Sequence, residues 1–267
     1  SDSAGRSRRL EELLRRLEGE WDYRLFKQYK GEDECTGVLW DTSRLTLDRT
    51  IELHVDRNPP AWQAYARQVE YTGQDGEPKP LHNRKVYAAF FSTGEGRTDF
   101  AVVPLHLIAS LEGVLVSRVR RYFEMATIAD CVAKQVFSRD EYDVILIGDT
   151  NCSIDSLESF TLADGSSASA PRYFRTWGTP PYFRELGGGL KEETILTDPP
   201  GTPTGRAESW PLDRAYIPVR QCEFVAASLT IESDVRKYAQ DKETFANKLS
   251  DHLMIHLSIS VMPDDDR

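Results

Sequence analysis

The sequence predicts a layered α/β sandwich, a sheet-rich core flanked by a few helices, and three observations carry that reading. Short apolar, β-branched runs recur along the chain with turn residues between them. Only one segment keeps a long helical period. The strand-like runs follow one another without the regular alternation with helices that a parallel βαβ array requires. The 267 residues are 40% hydrophobic and 28% charged, which supplies a sizeable core. No internal repeat or separating linker divides them, so one domain over residues 1–267 is expected.

The elements follow in order. Residues 8–17 carry Leu10, Leu13, Leu14 and Leu17 at helical spacing, closed by Gly19. Strands are predicted over 23–29, 36–40 and 45–55. Residues 56–83 are polar and bear Pro and Gly, a long excursion with a short helix over 61–69. Its Pro59, Pro60, Trp62 and Tyr65 leave it open as a substrate lid or a partner surface. Strand character returns over 85–91 and 99–106, joined by the hairpin-like STGEGR. The strongest helix covers 114–137, with Val119, Phe123, Ala126, Ala133 and Val136 near one face. Residues 144–147, VILI, read as a strand buried on both faces. Residues 153–210 read as one long loop, and the last strands are expected as 213–219 paired with 222–231, then 253–261.

Bulk properties exclude some function classes. A net charge of −10 argues against a basic surface for bulk nucleic-acid binding, although a bound divalent cation supplies local positive charge where a phosphate sits. No apolar run approaches the roughly 18 residues of a membrane span. The opening SDSAGRSRRLEELLRRLEG lacks an apolar h-region, so it is not a signal peptide; a mature secreted chain would look the same. Cys35, Cys131, Cys152 and Cys222 are too scattered for a metal knuckle and read as free thiols, which leans intracellular without excluding secretion.

The chemistry-bearing residues collect at strand ends. VILIGDTN runs from an apolar strand into Asp149 and Asn151. Gly, Asp and Asn also make ordinary turns, and on this stretch alone the turn outweighs the site. The apolar strand of FAVVPLHL reaches His106, LDRAYIPV opens on Asp213, and SDHLMIHLSI places Asp251 and His252 just before the last strand. Polar groups at the ends of apolar strands are where ligands of α/β sheets sit. Of the other histidines, His54 and His82 border the excursion and match nothing. His256 alternates with Met254 and reads as a sheet-face residue.

Taken in this order, FFSTGEGRTDFAVVPLHL, VILIGDTN, LDRAYIPV and SDHLMIHLSI resemble the endonuclease/exonuclease/phosphatase superfamily, and within it the deoxyribonuclease I branch. The histidine at the end of the first stretch is the most specific feature. The resemblance implies two packed, mostly antiparallel sheets flanked by helices. It implies magnesium-dependent phosphodiester hydrolysis with DNA as substrate, manganese or calcium being alternatives for the ion. His252 is then the general base, oriented by Asp213, because imidazole titrates near neutral pH. Asp149 and Asn151 hold the attacking water and a phosphoryl oxygen, and His106 donates to the phosphate or the leaving oxygen. Asp251 helps bind magnesium through hard carboxylate oxygen. Glu34, in KGEDECTGVLW, stands where the family backs that histidine with a carboxylate; it reads equally as a solvated charge.

Two alternatives stay open. The sphingomyelinase-type members share these residues, so a phospholipid or inositol phosphate is a second substrate class. Arg172, Arg175, Arg184 and Arg206 are candidate phosphate grips for it. A non-catalytic binding protein that keeps the fold is the third reading. It is motivated by the family's first-strand Asn and second-strand Gln-Glu, which have no counterpart among these residues; Thr150 is a milder departure. The missing strands belong to a longer protein, come from a partner chain, or have been lost. Loss would leave a long unpaired sheet edge, which soluble proteins avoid.

Overall fold

A computed structural model describes residues 7–15, 18–27, 35–82, 84–94, 98–109, 114–137, 142–152, 158–162, 164–177, 181–186, 213–219, 224–232 and 254–261. Helix α1 (Arg8–Leu14) precedes a hairpin of β1 (Trp21–Lys27) and β2 (Cys35–Asp41). Strand β3 (Thr46–Leu53) and helix α2 (Pro60–Gln68) follow, then β4 (Val86–Ser92) and β5 (Asp99–His106). Helix α3 (Val114–Gln135) leads to β6 (Val144–Asp149). The short β7 (Phe160–Thr161) and β8 (Ser167–Ala168), α4 (Ala170–Thr176) and β9 (Phe183–Leu186) precede β10 (Asp213–Pro218). A ladder of β11 (Phe224–Glu232) with β12 (Met254–Val261) completes the described chain.

Six strands form the main sheet in the order β3-β4-β5-β6-β10-β9. Every neighbouring pair is antiparallel except β5 and β6. A parallel pair needs a crossover of a dozen residues or more, and α3 supplies it. Side-chain alternation then sorts the strands' residues onto two faces. Ala101, Val103, Leu105, Val144 and Leu146 meet Met125, Ile128, Ala129 and Val132 of α3. The opposite face carries Ala89 and Phe91 against Phe26 and Trp40 of the β1–β2 hairpin, and Ile145, Ala215 and Ile217 against Phe224 and Leu229 of β11. Among the described residues the second layer thus consists of two two-stranded sheets, β1–β2 and β11–β12, over the main sheet, and the sandwich expected from the sequence is observed.

Two sequence expectations are corrected. Strand β10 does not pair with β11: its neighbours are β6 and β9, and β11 pairs with β12. Chain adjacency suggested a hairpin, but β10 is buried along its whole length and takes a position inside the sheet. Residues 153–210 are not one long loop either. Within them α4 packs on α3 and Phe174 fits against Phe183 and Tyr216. The small-residue run that reads as loop ends at Pro171, which is tolerated in a first helical turn.

The 56–83 excursion is anchored rather than free. Trp62, Ala66 and Leu81 are fully buried against Val116 and Phe123 of α3, and Trp62 Nε1 donates to Lys79 O at 2.9 Å. His82 is buried too, with its Nε2 against Thr127 Oγ1. The Thr127 hydroxyl donates to the Phe123 and Glu124 carbonyls, each at 3.0 Å, so its oxygen accepts from a neutral imidazole. Burial, with Arg120 and Arg57 nearby, pushes the His82 pKa down to about 3. A depressed folded pKa means stability that is present above the unfolded value near 6.5 and is lost as pH falls towards 3. His82→Gln should therefore shift the acid-unfolding midpoint to lower pH, with wild type and variant diverging below about 6.5. Denaturant titrations at pH 4 and pH 8 check this; parallel pH profiles would refute it.

Candidate active site

Strands β5 and β6 run parallel, so their carboxyl ends lie side by side. Strand β10 runs the other way, and its first residue comes to the same level. The register pairs His106 with Asp149, and Asp149 with Asp213. Neighbouring strands lie about 4.8 Å apart, so three residues far apart in sequence stand in one row. Alternation places the row on the face opposite α3, the face of Phe100, Val102 and Ile147. His106 Nε2 lies 3.8 Å from Asp149 Oδ2, and Asp213 is only 8% exposed.

Asn151 is locked to this row. Its backbone takes φ 50°, a left-handed value that Asn tolerates better than most residues. The Asn151 N–H donates to Asp149 Oδ1 at 2.7 Å. Its Nδ2 donates to Asp149 Oδ2 and to Leu107 O, both at 2.9 Å. Both amide protons are thus engaged inside the site, and donation to a phosphoryl oxygen requires release of one of them. Gly148, just before, has φ 143°, and a Cβ there would sit 2.2 Å from Leu105 O. The bare backbone lets β6 lie against β5 at this point.

A charged cluster of Arg84 with the buried Arg121 and Glu124 of α3, which the sequence reading missed, holds the loop after His106. Arg84 Nη1 donates to the carbonyls of His106 and Leu107 at 3.4 and 3.2 Å. The Ile108 N–H donates to Glu124 Oε2 at 3.0 Å, and Arg121 Nη1 donates to Ile108 O at 3.3 Å. Arg121 is 1% exposed and also pairs with Glu158 at 2.7 Å. Burial raises the Glu124 pKa to about 7, against the opposing pull of Arg120 and the Ile108 N–H. The available signal was the polar stripe Ser117, Arg120, Arg121, Glu124, Thr127 on one helix face. Such a stripe normally faces water; here a second layer of helix and loop covers it.

The remaining predicted residues divide clearly. Beside Asp213, Arg214 pairs with Glu185 and its Nη2 donates to Cys152 O at 3.3 Å. Arg175, half-buried, pairs with the same Glu185 at 3.3 Å, so this candidate phosphate grip is engaged by a carboxylate. Arg172 and Arg184 are exposed, and His256 lies on the exposed face of β12 as expected. His252, Asp251, Glu34 and Arg206 lie outside the described residues. Among the described residues no group of three or more His, Cys, Asp or Glu side chains could hold a metal ion. The row nevertheless offers Asp149 and Asp213, hard oxygen donors of the kind magnesium takes, and needs further carboxylates to complete a cation site. Among the described residues, no helix is long and apolar enough to cross a membrane.

No protein-family model matches this sequence, and no curated protein matches it. Solved structures do share its fold. The mannosyl-6-phosphatase of Bacteroides thetaiotaomicron aligns over 94% of this chain and 80% of its own, at 11% identity and TM-score 0.53. An endonuclease/exonuclease/phosphatase of Bacteroides vulgatus aligns over 91% and 77%, at 13% identity and TM-score 0.53. TDP2 of D. rerio, solved with a single-strand DNA product, aligns over 96% and 82%, at 13% identity and TM-score 0.50. At these identities the likeness concerns the fold.

Proposed function

We propose that this chain, which has the deoxyribonuclease I-like fold of the endonuclease/exonuclease/phosphatase proteins, hydrolyses phosphodiester bonds, with DNA as its substrate. The observation that carries the proposal is the row of His106, Asp149 and Asp213 across three neighbouring strands, with Asn151 locked onto it. In this reading His252 takes the proton of the attacking water, and Asp213 orients that imidazole and stabilises its charged form. Asp149 holds the water. Asn151 gives up its bond to Asp149 Oδ2 to donate to a phosphoryl oxygen, and its second bond, to Leu107 O, keeps it in place. His106 donates to the phosphate or the leaving oxygen. Asp251 would help hold magnesium, which would supply charge stabilisation for the phosphoryl oxygens, and Glu34 would back the His106 imidazole.

The anchored loop gives this reading a physical basis. A donor acts on a developing charge only if it is already aimed there, and Arg84, Arg121 and Glu124 fix the backbone on which His106 ends. The net charge of −10 favours a second reading, a small phosphate ester or a lipid headgroup, since such substrates need no extended basic surface.

One experiment separates the readings. The native-length protein is incubated with magnesium or with EDTA on supercoiled plasmid, on sphingomyelin vesicles and on inositol phosphates. Magnesium-dependent nicking that His252→Ala abolishes supports the nuclease. Release of phosphorylcholine or inorganic phosphate without nicking moves the substrate to the second class. No hydrolysis of any of them refutes catalysis and leaves a binding protein.

A further inference from the structure

Two of the hydrogen bonds around the loop after His106 end on the same peptide unit. The Leu107–Ile108 peptide presents its carbonyl to the candidate site, where Asn151 Nδ2 donates to Leu107 O at 2.9 Å. Its N–H points the other way and donates to Glu124 Oε2 at 3.0 Å. A peptide unit is planar, with N–H and C=O on opposite edges, so it moves as a plate. Asn151 and Glu124, the latter buried on α3, thus hold the two edges of one rigid unit. The flanking backbone is tied as well: the Leu107 N–H donates to Asp149 O at 3.0 Å, and Arg121 Nη1 donates to Ile108 O at 3.3 Å.

Electrostatics gives the plate a direction. A carboxylate that accepts the N–H polarises the peptide and makes its carbonyl a stronger acceptor, as in any chain of hydrogen bonds. Ionised Glu124 therefore strengthens the bond from Asn151 to Leu107 O, the one that remains when Asn151 lets go of Asp149. The groups facing Glu124 are Arg120 and Arg121 on α3, Arg84 before β4, and Lys85, His82 and His106, with which it lines a cavity of about 20 Å³. The arginines stay charged, and His82, pushed down to about 3, stays neutral at any pH above that. Burial brings the Glu124 carboxyl to about 7, so its charge changes around neutrality. A folded pKa raised from 4.5 means that the protonated form stabilises the fold, and this contribution is lost as pH rises through 7. Stability is therefore not what an ionised Glu124 supplies.

We propose that Glu124 is a positioning residue of this site: as a carboxylate it acts through the Leu107–Ile108 peptide to hold Asn151 where its amide donates to a phosphoryl oxygen. Its effect on turnover rests on the role proposed for Asn151, whereas the relay itself needs no substrate.

The test has a spectroscopic and a kinetic half, both in the native-length protein. In the first, NMR follows the Ile108 N–H and the Asn151 side-chain amide as pH is raised through neutrality. Both are expected to titrate with one midpoint near 7. Glu124→Gln keeps the side-chain shape and an acceptor oxygen but removes the charge, and should abolish both transitions. An Asn151 amide that stays silent, or that titrates apart from Ile108, overturns the relay; so does a transition that survives the substitution and follows His106, since imidazole titrates in this range. Should the variant fold poorly, the two wild-type midpoints decide. In the second half, Glu124→Gln is expected to lower kcat about fivefold with KM unchanged, and to have no further effect in an Asn151→Ala background. Losses that multiply in the double variant, or a loss of stability at wild-type kcat, overturn the positioning role. Absence of hydrolysis by the wild type refutes the proposed function instead, and the spectra then decide the relay alone.

Discussion

Asp149→Asn is expected to slow phosphoester hydrolysis on the order of 10³-fold while leaving the fold in place. The substitution keeps the shape of the side chain and one oxygen to accept the Asn151 N–H, now at 2.7 Å. It removes the negative charge 3.8 Å from His106 Nε2, and it turns the partner of Asn151 Nδ2 from an acceptor into a donor. The structural cost is one hydrogen bond at a partly buried position, about 1 kcal/mol. The chemical cost is larger, because the group proposed to hold the attacking water no longer carries charge. Single-turnover rates measured beside thermal unfolding check the separation. A rate within about threefold of wild type would remove Asp149 from the site.

Gly148→Ala is expected to be among the most damaging single changes to stability, by roughly 4 kcal/mol or more. A Cβ at this position meets the Leu105 carbonyl oxygen at 2.2 Å and the Leu105 N and C at 3.1 Å, all of them backbone atoms that no rotamer change can move aside. The φ of 143° adds strain for any L side chain. Relief requires β6 to separate from β5, which breaks the register of His106 with Asp149, so activity falls with stability. Gly165→Ala is the matched control. It also has positive φ, at 84°, but nothing lies within 4 Å, and only the modest cost of the backbone conformation remains. Urea denaturation of both variants decides the matter; equal midpoints would refute the close approach of the strands.

The elements were legible wherever local pattern and burial agree. Residues 99–106 appear as β5 with the expected bounds, and the long helix ends two residues before the expected position. In both, the apolar period is a direct image of the core the element meets. The excursion's helix was legible for the same reason, since Trp62 and Ala66 lie one turn apart on one face. The ends of β5, β6 and β10 announced themselves by a switch from apolar residues to His106, Asp149 and Asp213. What lay out of reach was their registration, because pairing depends on which strands become neighbours. The same blindness produced the wrong partner for β10. Chain adjacency favoured β11, but a strand buried on both faces is better placed inside the sheet than in an outlying hairpin.

The charged stripe on α3 marks the boundary most clearly. Arg120, Arg121 and Glu124 look in sequence like a solvated helix face, and their burial follows only from the 71–81 segment, the loop after His106 and the 158 region closing over that face. By itself the sequence determined the strands, the long helix and the residue types at the strand ends, since these rest on interactions along a few residues of chain. Tertiary structure alone decided that three strand ends share one level, that Asn151 is bound to Asp149 and that buried charges hold the loop after His106. All of these depend on contacts between segments distant in the chain, where burial and main-chain pairing, rather than local preference, set the energy.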